Sequence, residues 1–143
     1  MLIFEIRKFS ESSYKRLRNP AKIYLADTGI CKKVTSADLG RVLENVVFWG
    51  LRKKGEEIFY FDENRECDFI VKDNQGKLFP YQVTLELKEE NEKREIAGLV
   101  EACKKLGLKK GTIFTFDEEG NKVVEDINIQ ILPVWKWLLS EIM

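Results

Sequence analysis

The chain has 143 residues, 44% of them apolar, enough for one domain with a continuous core and no covalent staples. Its 24 basic residues balance 24 acidic ones, so the chain as a whole is no polycation. Three cysteines without a single histidine argue against a structural zinc site and against a disulfide framework.

A reducing cytoplasm is the expected compartment; the apolar stretches are too short to span a bilayer, and no signal peptide is read ahead of them. Glu and Lys dominate the charged residues and glutamine is scarce (Gln75, Gln82, Gln130), a bias of heat-adapted proteins.

"LIFEI" reads as a short strand. Residues 7–22 then carry Arg7, Lys8, Lys15, Arg16, Arg18 and Lys22 against the single acid Glu11. Such a cluster can hold phosphates or simply form a solvated edge. The strand and this basic connector, residues 1–22, are read as a leader to an α/β domain over residues 23–143. "KIYLADTGI" begins as a strand and ends at Gly29. "TSAD" offers helix-capping oxygens, and apolar residues at 39, 42, 43, 46, 47 and 51 predict a helix over residues 39–53, with Gly55 as its stop.

"EIFYFD" and "ECDFIVKD" are strands with Asn64 and Arg65 at the bend between them. Residues 73–76 make a hairpin turn by composition, and "KLFPYQVTLEL" is the next strand, with Pro80 marking an edge or a bulge near its start. From Glu90 the period changes. Ile96, Leu99, Val100, Cys103 and Leu106 predict a helix closed by Gly107. "GTIFTF" is a strand, "DEEGNK" a turn, and Ile127, Ile129 and Ile131 alternate as in a half-buried strand. Pro133 opens a final helix, whose Trp135 and Trp137 lie two apart and so cannot share a face for base stacking.

Helix, three strands, helix, strand is the central order. Three strands on short turns form an antiparallel meander, and the second helix carries the chain to a strand that can pair in parallel. The expected class is α/β, a mixed sheet covered by helices on both faces.

Three polar residues interrupt these apolar runs. Asp68 lies mid-strand, Gln82 lies in the next strand with Thr84 two residues on, and Glu44 lies in the apolar helix. Alternation groups Glu66, Asp68 and Ile70 on one face, with Cys67, Phe69 and Val71 on the other; Gln82, Thr84 and Glu86 form a second set. Pairing across the turn at 73–76 then sets Asp68 beside Gln82. One helix acid and one strand acid beside an amide make an oxygen-lined site suited to Mg2+ or Mn2+, the ions that assist phosphodiester hydrolysis. Purely structural roles are also open: Asp68 pairing with Arg65 or Arg41, Glu44 salt-bridged at a helix edge, Gln82 satisfying backbone groups, and Thr84 acting as a good strand residue.

The segments "GRVLENVVFWGLRKKG", "CDFIV" and "YQV", in this order, resemble the PD-(D/E)XK or restriction-endonuclease-like superfamily. The likeness is closer to the uncharacterised C-terminal domain of archaeal P-loop ATPases, where a similar stretch follows an ATPase module and a winged helix and "RNPAKIYLADTGI" is similar to the lead-in segment. It covers residues 15–140. The resemblance implies an αβββαβ core, with Glu44 as the helix acid and Asp68 as the strand acid. Gln82 stands where a second acid is usual and Thr84 where the lysine is usual, which removes one negative charge and the only ammonium.

Arg41, one turn before Glu44, is a candidate substitute cation, as are Lys93 and Arg94. Lys72 and Lys88 share the strand parity but lie roughly 13 Å along it, out of reach. No Walker phosphate loop is present, and without histidine no Ser–His or Cys–His system exists. The resulting expectation is a nuclease-like domain with a degenerate site that binds Mg2+ or Mn2+ weakly and serves DNA or a P-loop ATPase module. The alternatives are an active Mg2+-dependent endonuclease with a relocated Lys or Arg, and a protein–protein adaptor working with a partner or a second copy.

Overall fold

A computed structural model of the chain describes residues 3–10, 18–25 and 36–142. Strands β1 (Ile3–Lys8) and β2 (Lys22–Leu25) precede helix α1 (Ser36–Arg52). Strands β3 (Glu57–Asp62), β4 (Glu66–Lys72) and β5 (Leu78–Val83) lead to α2 (Glu92–Leu106). The chain then forms β6 (Lys110–Thr115), β7 (Gly120–Val124), β8 (Ile127–Pro133) and α3 (Val134–Ile142). Lys15, Arg16, Gly29, Cys31 and the side chains of "TSAD" lie outside the described residues. Among the described residues no helix is long and apolar enough to cross a membrane.

All the described strands join one mixed sheet of 8 in the order β2-β1-β3-β4-β5-β6-β8-β7. The αβββαβ order stands at its centre: β3, β4 and β5 are antiparallel, and α2 crosses over so that β6 runs parallel to β5. The N-terminal strand is built into the same sheet, since β1 pairs antiparallel with β2 and parallel with β3.

Two cores sit on the two faces. Leu43, Val47, Phe48 and Leu51 of α1, with Trp137 of α3, pack on Tyr24, Phe69, Val71 and Phe114. Leu99, Val100, Ala102 and Cys103 of α2 pack on Phe61, Cys67, Ile70, Ile113 and Ile129. Trp137 is buried while Trp135 is exposed, as their two-residue spacing on a helix requires.

Three local expectations are corrected. β5 ends at Val83 rather than running on through Thr84, because the chain there leaves β4 and follows β6: Thr84 N–H donates to Phe114 O at 2.9 Å, and Phe116 N–H to Leu85 O at 3.0 Å. "DEEGNK" contains the start of strand β7, turned back into β8 by Glu125 and Asp126 in left-handed conformations (φ 50° and 67°). Pro80 lies inside an interior strand. Pairing of β5 with β6 begins only at Tyr81, so the missing N–H of Pro80 costs no bond on that side.

Gly98 is the point of closest approach between α2 and the sheet. A β-carbon there would overlap the Glu66 carbonyl oxygen, a backbone atom that cannot swing aside. Gly98→Ala is therefore expected to lower stability by roughly 1–3 kcal/mol, despite its better helix propensity. Urea denaturation of the two proteins measures it, and an unchanged midpoint would show that α2 can lift off β4 at no cost.

Candidate functional site

The site starts from an irregularity in β4. Phe59 and Phe61 are two residues apart on β3, yet their partners Ile70 and Cys67 are three apart, so β4 carries one extra residue. Cys67 and Ile70 consequently both face the α2 core, whereas Phe69 and Val71 face the α1 core. Strict alternation had set Asp68 beside Ile70; the bulge separates them and turns Asp68 towards α1 and β2.

At the same place β4 and β5 part. Their paired register stops at Phe69↔Tyr81, and side chains replace the next ladder bonds. Asp68 N–H donates to Gln82 Oε1 at 2.9 Å, and Val83 N–H donates to Asp68 Oδ2 at 2.9 Å. Gln82 is buried, and its Nε2 donates to Glu95 Oε2 at 2.6 Å; Arg94 donates to the other oxygen of Glu95 at 3.2 Å. Both ends of the Gln82 amide are thus engaged within the protein.

The wall opposite is supplied by β2, gripped by α1. Leu25 exchanges two bonds with the Asn45 side chain at 3.1 and 3.0 Å, and its carbonyl also accepts from Trp49 Nε1 at 2.7 Å. The Tyr24 ring stacks on Phe48 with centroids 4.3 Å apart. Tyr24 OH donates to Glu44 Oε1 at 2.6 Å. Lys22, two residues earlier and therefore on the same face, places Nζ 3.7 Å from Asp68 Oδ1 and also pairs with Glu66.

These groups line one cleft of about 1090 Å3 that includes Lys22, Glu44, Asp68, Gln82, Thr84 and Glu95. Arg41, Arg65 and Arg94 also border it. Thr84 Oγ1 is occupied by neighbours, donating to Glu86 O at 3.2 Å and accepting from Asn91 Nδ2 at 3.3 Å. Of the basic segment, Arg7 pairs with Glu5 and Lys8 with Glu63. Lys22 and Tyr24 were not singled out as site residues from the sequence. The available signal was a lysine two residues before a tyrosine in a short strand; what the sequence did not show was where that strand would dock.

Burial raises the Asp68 carboxyl from its ordinary 3.8 to about 8, and the charge of Glu44 pushes the same way. Lys22 and the Val83 N–H oppose that rise without cancelling it. Burial lowers the Lys22 pKa, but Asp68, Glu66 and Glu44 together hold it above its ordinary value. Burial and then Glu44 push the Tyr24 phenol well up, so it stays a donor.

A buried carboxyl whose proton affinity is raised by burial and by a neighbouring acid belongs to a donor set that a hard cation would relieve. Among the described residues no three His, Cys, Asp or Glu side chains form a closed metal cage. The side chains that could hold a divalent cation are Glu44 and Asp68, and Mg2+ is commonly held by one or two carboxylates with water and substrate phosphates.

Fold and site together define a mixed α/β domain with a cleft at the parting of two strands, in which Lys22 stands beside Asp68. The chain belongs to the family described as "Domain of unknown function (DUF4143)", whose model matches residues 39–137. It is similar to "Uncharacterized protein MJ1544" of Methanocaldococcus jannaschii, 35% identical over 151 residues, covering 97% of this chain and 33% of that relative. The chain therefore spans about a third of the relative's length. Glu44, Asp68, Gln82 and Thr84 fall within the matched family region, whereas Lys22 and Tyr24 precede it.

Because the folded state holds the Asp68 proton up to about pH 8 and the unfolded chain releases it near 3.8, stability should fall as pH rises through that window. The slope has an upper bound of about 1.4 kcal/mol per pH unit. Asp68→Asn keeps an acceptor for Val83 N–H and removes the titration. Thermal melts should show it more stable than the parent at pH 8, with the gap closing by pH 5; parallel pH profiles would mean Asp68 is ionised throughout.

Proposed function

We propose that this cleft is a divalent-cation-assisted phosphodiester site and that the domain is a nuclease-like module acting on nucleic acid, of the restriction-endonuclease-like class its sequence resembles. The observation that carries this reading is Lys22 Nζ at 3.7 Å from Asp68 Oδ1 in the cleft that Glu44 also lines. An ammonium beside two carboxylates is the charge set that phosphoryl chemistry uses, and it supplies what Thr84 lacks. The relocated cation is then Lys22, not Arg41, Lys93 or Arg94.

Glu44 and Asp68 are the residues that would hold Mg2+ or Mn2+, which when bound polarises a phosphate oxygen and acidifies coordinated water. Tyr24 fixes the Glu44 carboxylate through its 2.6 Å bond, so that acid stays aimed at the cleft. Lys22 contacts the non-bridging phosphate oxygens and stabilises the charge that grows on them. Gln82 and Glu95 act as positioning residues that hold β4 and β5 apart. Arg41, Arg65 and Arg94 at the border fit the flanking phosphates.

A second reading, binding without cleavage, is favoured by the Gln82 amide being engaged at both ends and by Lys22 being shared with Glu66. Domains of this family often occur in ATPase-associated proteins, which supports a role beside an ATPase module under either reading.

Incubation with single- and double-stranded DNA and RNA in Mg2+ or Mn2+ separates the two. Cleavage is expected, lost in Asp68→Ala, reduced about 10²–10³-fold in Lys22→Ala and partly restored in Lys22→Arg. Salt-dependent binding without cleavage would establish the second reading, and neither activity would leave a protein–protein adaptor.

A further inference from the structure

We propose that the uncovered part of the sheet face beneath α1 and α3 is a second binding surface, one that takes single-stranded nucleic acid. This surface lies at the opposite end of β5 from the cleft. The cleft borders Val83 and Leu85, whereas a trough of about 600 Å3 opens over Leu78 to Tyr81 and the starts of β6 and β8. The rings of Tyr81, Phe114 and Trp137, with successive centroids 5.3 and 4.5 Å apart, fill the space between the two. The surface therefore works without the cleft and without its cation.

Its floor is set by strand parity. Ile127 and Ile129 point into the α2 core, and a β-carbon on Gly111 would meet Leu99 of α2. Their strand neighbours Lys110, Thr112, Asn128 and Gln130 consequently face the open side. Tyr81, Thr112, Gln130 and Asn121 stand in one cross-strand row, and Lys110, Asn128 and Val123 in the next. Four strands present a strip about 14 Å wide.

The charge of this strip is one-sided. Lys77, Lys109 and Lys110 line it, and no acid among its described residues does. None of these three has an ion-pair partner among the described residues, a state they share with Lys53, Lys72, Lys93 and Lys105, and Lys77 Nζ lies 5.2 Å over the Phe79 ring. Asp73, the acid nearest Lys77 in sequence, turns its Oδ1 inward to accept from Gln75 N–H and Lys77 N–H. In a chain with equal numbers of acids and bases, an acid-free strip of unpaired lysines complements a polyanion.

The rest of the lining selects among polyanions. Amides, a hydroxyl and lysines are the side chains that hold phosphate and sugar oxygens. Phe79 and Tyr81 are half-buried at the margin; Tyr81 stacks one face on Phe114 and Lys77 Nζ lies over the Phe79 ring, so their remaining edges and faces are what unpaired bases, which a duplex keeps stacked inside, would meet.

Fluorescence anisotropy with labelled oligo-dT and oligo-rU in EDTA, across a salt series, tests the proposal on the full chain. The triple variant Lys77→Glu, Lys109→Glu, Lys110→Glu should weaken binding at least about tenfold and flatten the slope of log K against log salt by about 2. Asn128→Ala with Gln130→Ala should weaken binding and leave the slope in place. Lys53→Glu, an exposed lysine outside both the trough and the cleft, should change neither, and EDTA keeps the cleft's cation out of the measurement, so the two surfaces remain distinguishable. All the substituted side chains are exposed, and matching thermal melts confirm the fold. Affinity and slope unchanged in the triple variant overturn the proposal. So does equal competition by polyglutamate, which would indicate an acidic protein partner, or duplex binding as tight as single-strand binding.

Discussion

Where β4 and β5 part, two backbone N–H groups would be left without partners beneath a helix, and buried donors have to be satisfied. Asp68 and Gln82 meet that demand reciprocally: the amide oxygen takes the Asp68 N–H, and the Asp68 carboxylate takes the Val83 N–H. An aliphatic pair could not. The cleft follows from this arrangement, because it obliges a carboxylate to sit in the interior close to Glu44 and raises its proton affinity. Lys22 then meets the oxygens of Asp68 and Glu66, and the hollow between the strands has a polar lining instead of a sealed apolar one.

The surrounding framework holds that arrangement from both faces. On one side α2 lies so near β4 that only glycine fits at position 98, and Glu95 from the same helix anchors the amide of Gln82. On the other side α1 contributes Glu44 and also clamps β2 by its backbone through Asn45 and Trp49. The same helix therefore carries one acid and positions the strand that brings the lysine. The cleft is a joint product of the matched family region and of the edge strand β2 that precedes it.

The balanced overall charge conceals this local segregation. Acids gather with the half-buried Lys22 at one end of β5, bordered by Arg41, Arg65, Lys88 and Arg94, while lysines and amides without an acid gather at the other. Net charge reports on neither feature, since each is a matter of which side chains the sheet sets side by side.

Much of the architecture was legible in local patterns. Periods of two and near four, together with Gly107 and the turn at 73–76, mark the αβββαβ order because each depends only on neighbours along the chain. β7 was not legible: its hairpin turns on Glu125 and Asp126, which lack the usual glycine or asparagine. Strand alternation also failed at Asp68, since the bulge arises from a mismatch between two strands and neither strand alone shows it.

The sequence by itself determined which residues could carry charge or an amide inside apolar elements, and Glu44, Asp68, Gln82 and Thr84 stand out for that reason. Only the tertiary structure decided their company. It spent the Gln82 amide on the backbone and on Glu95, and brought Lys22 to Asp68 through an edge strand joined to the sheet by way of β1. Pairing between strands distant in sequence depends on the packing of the whole sheet, and no local window of residues contains that information.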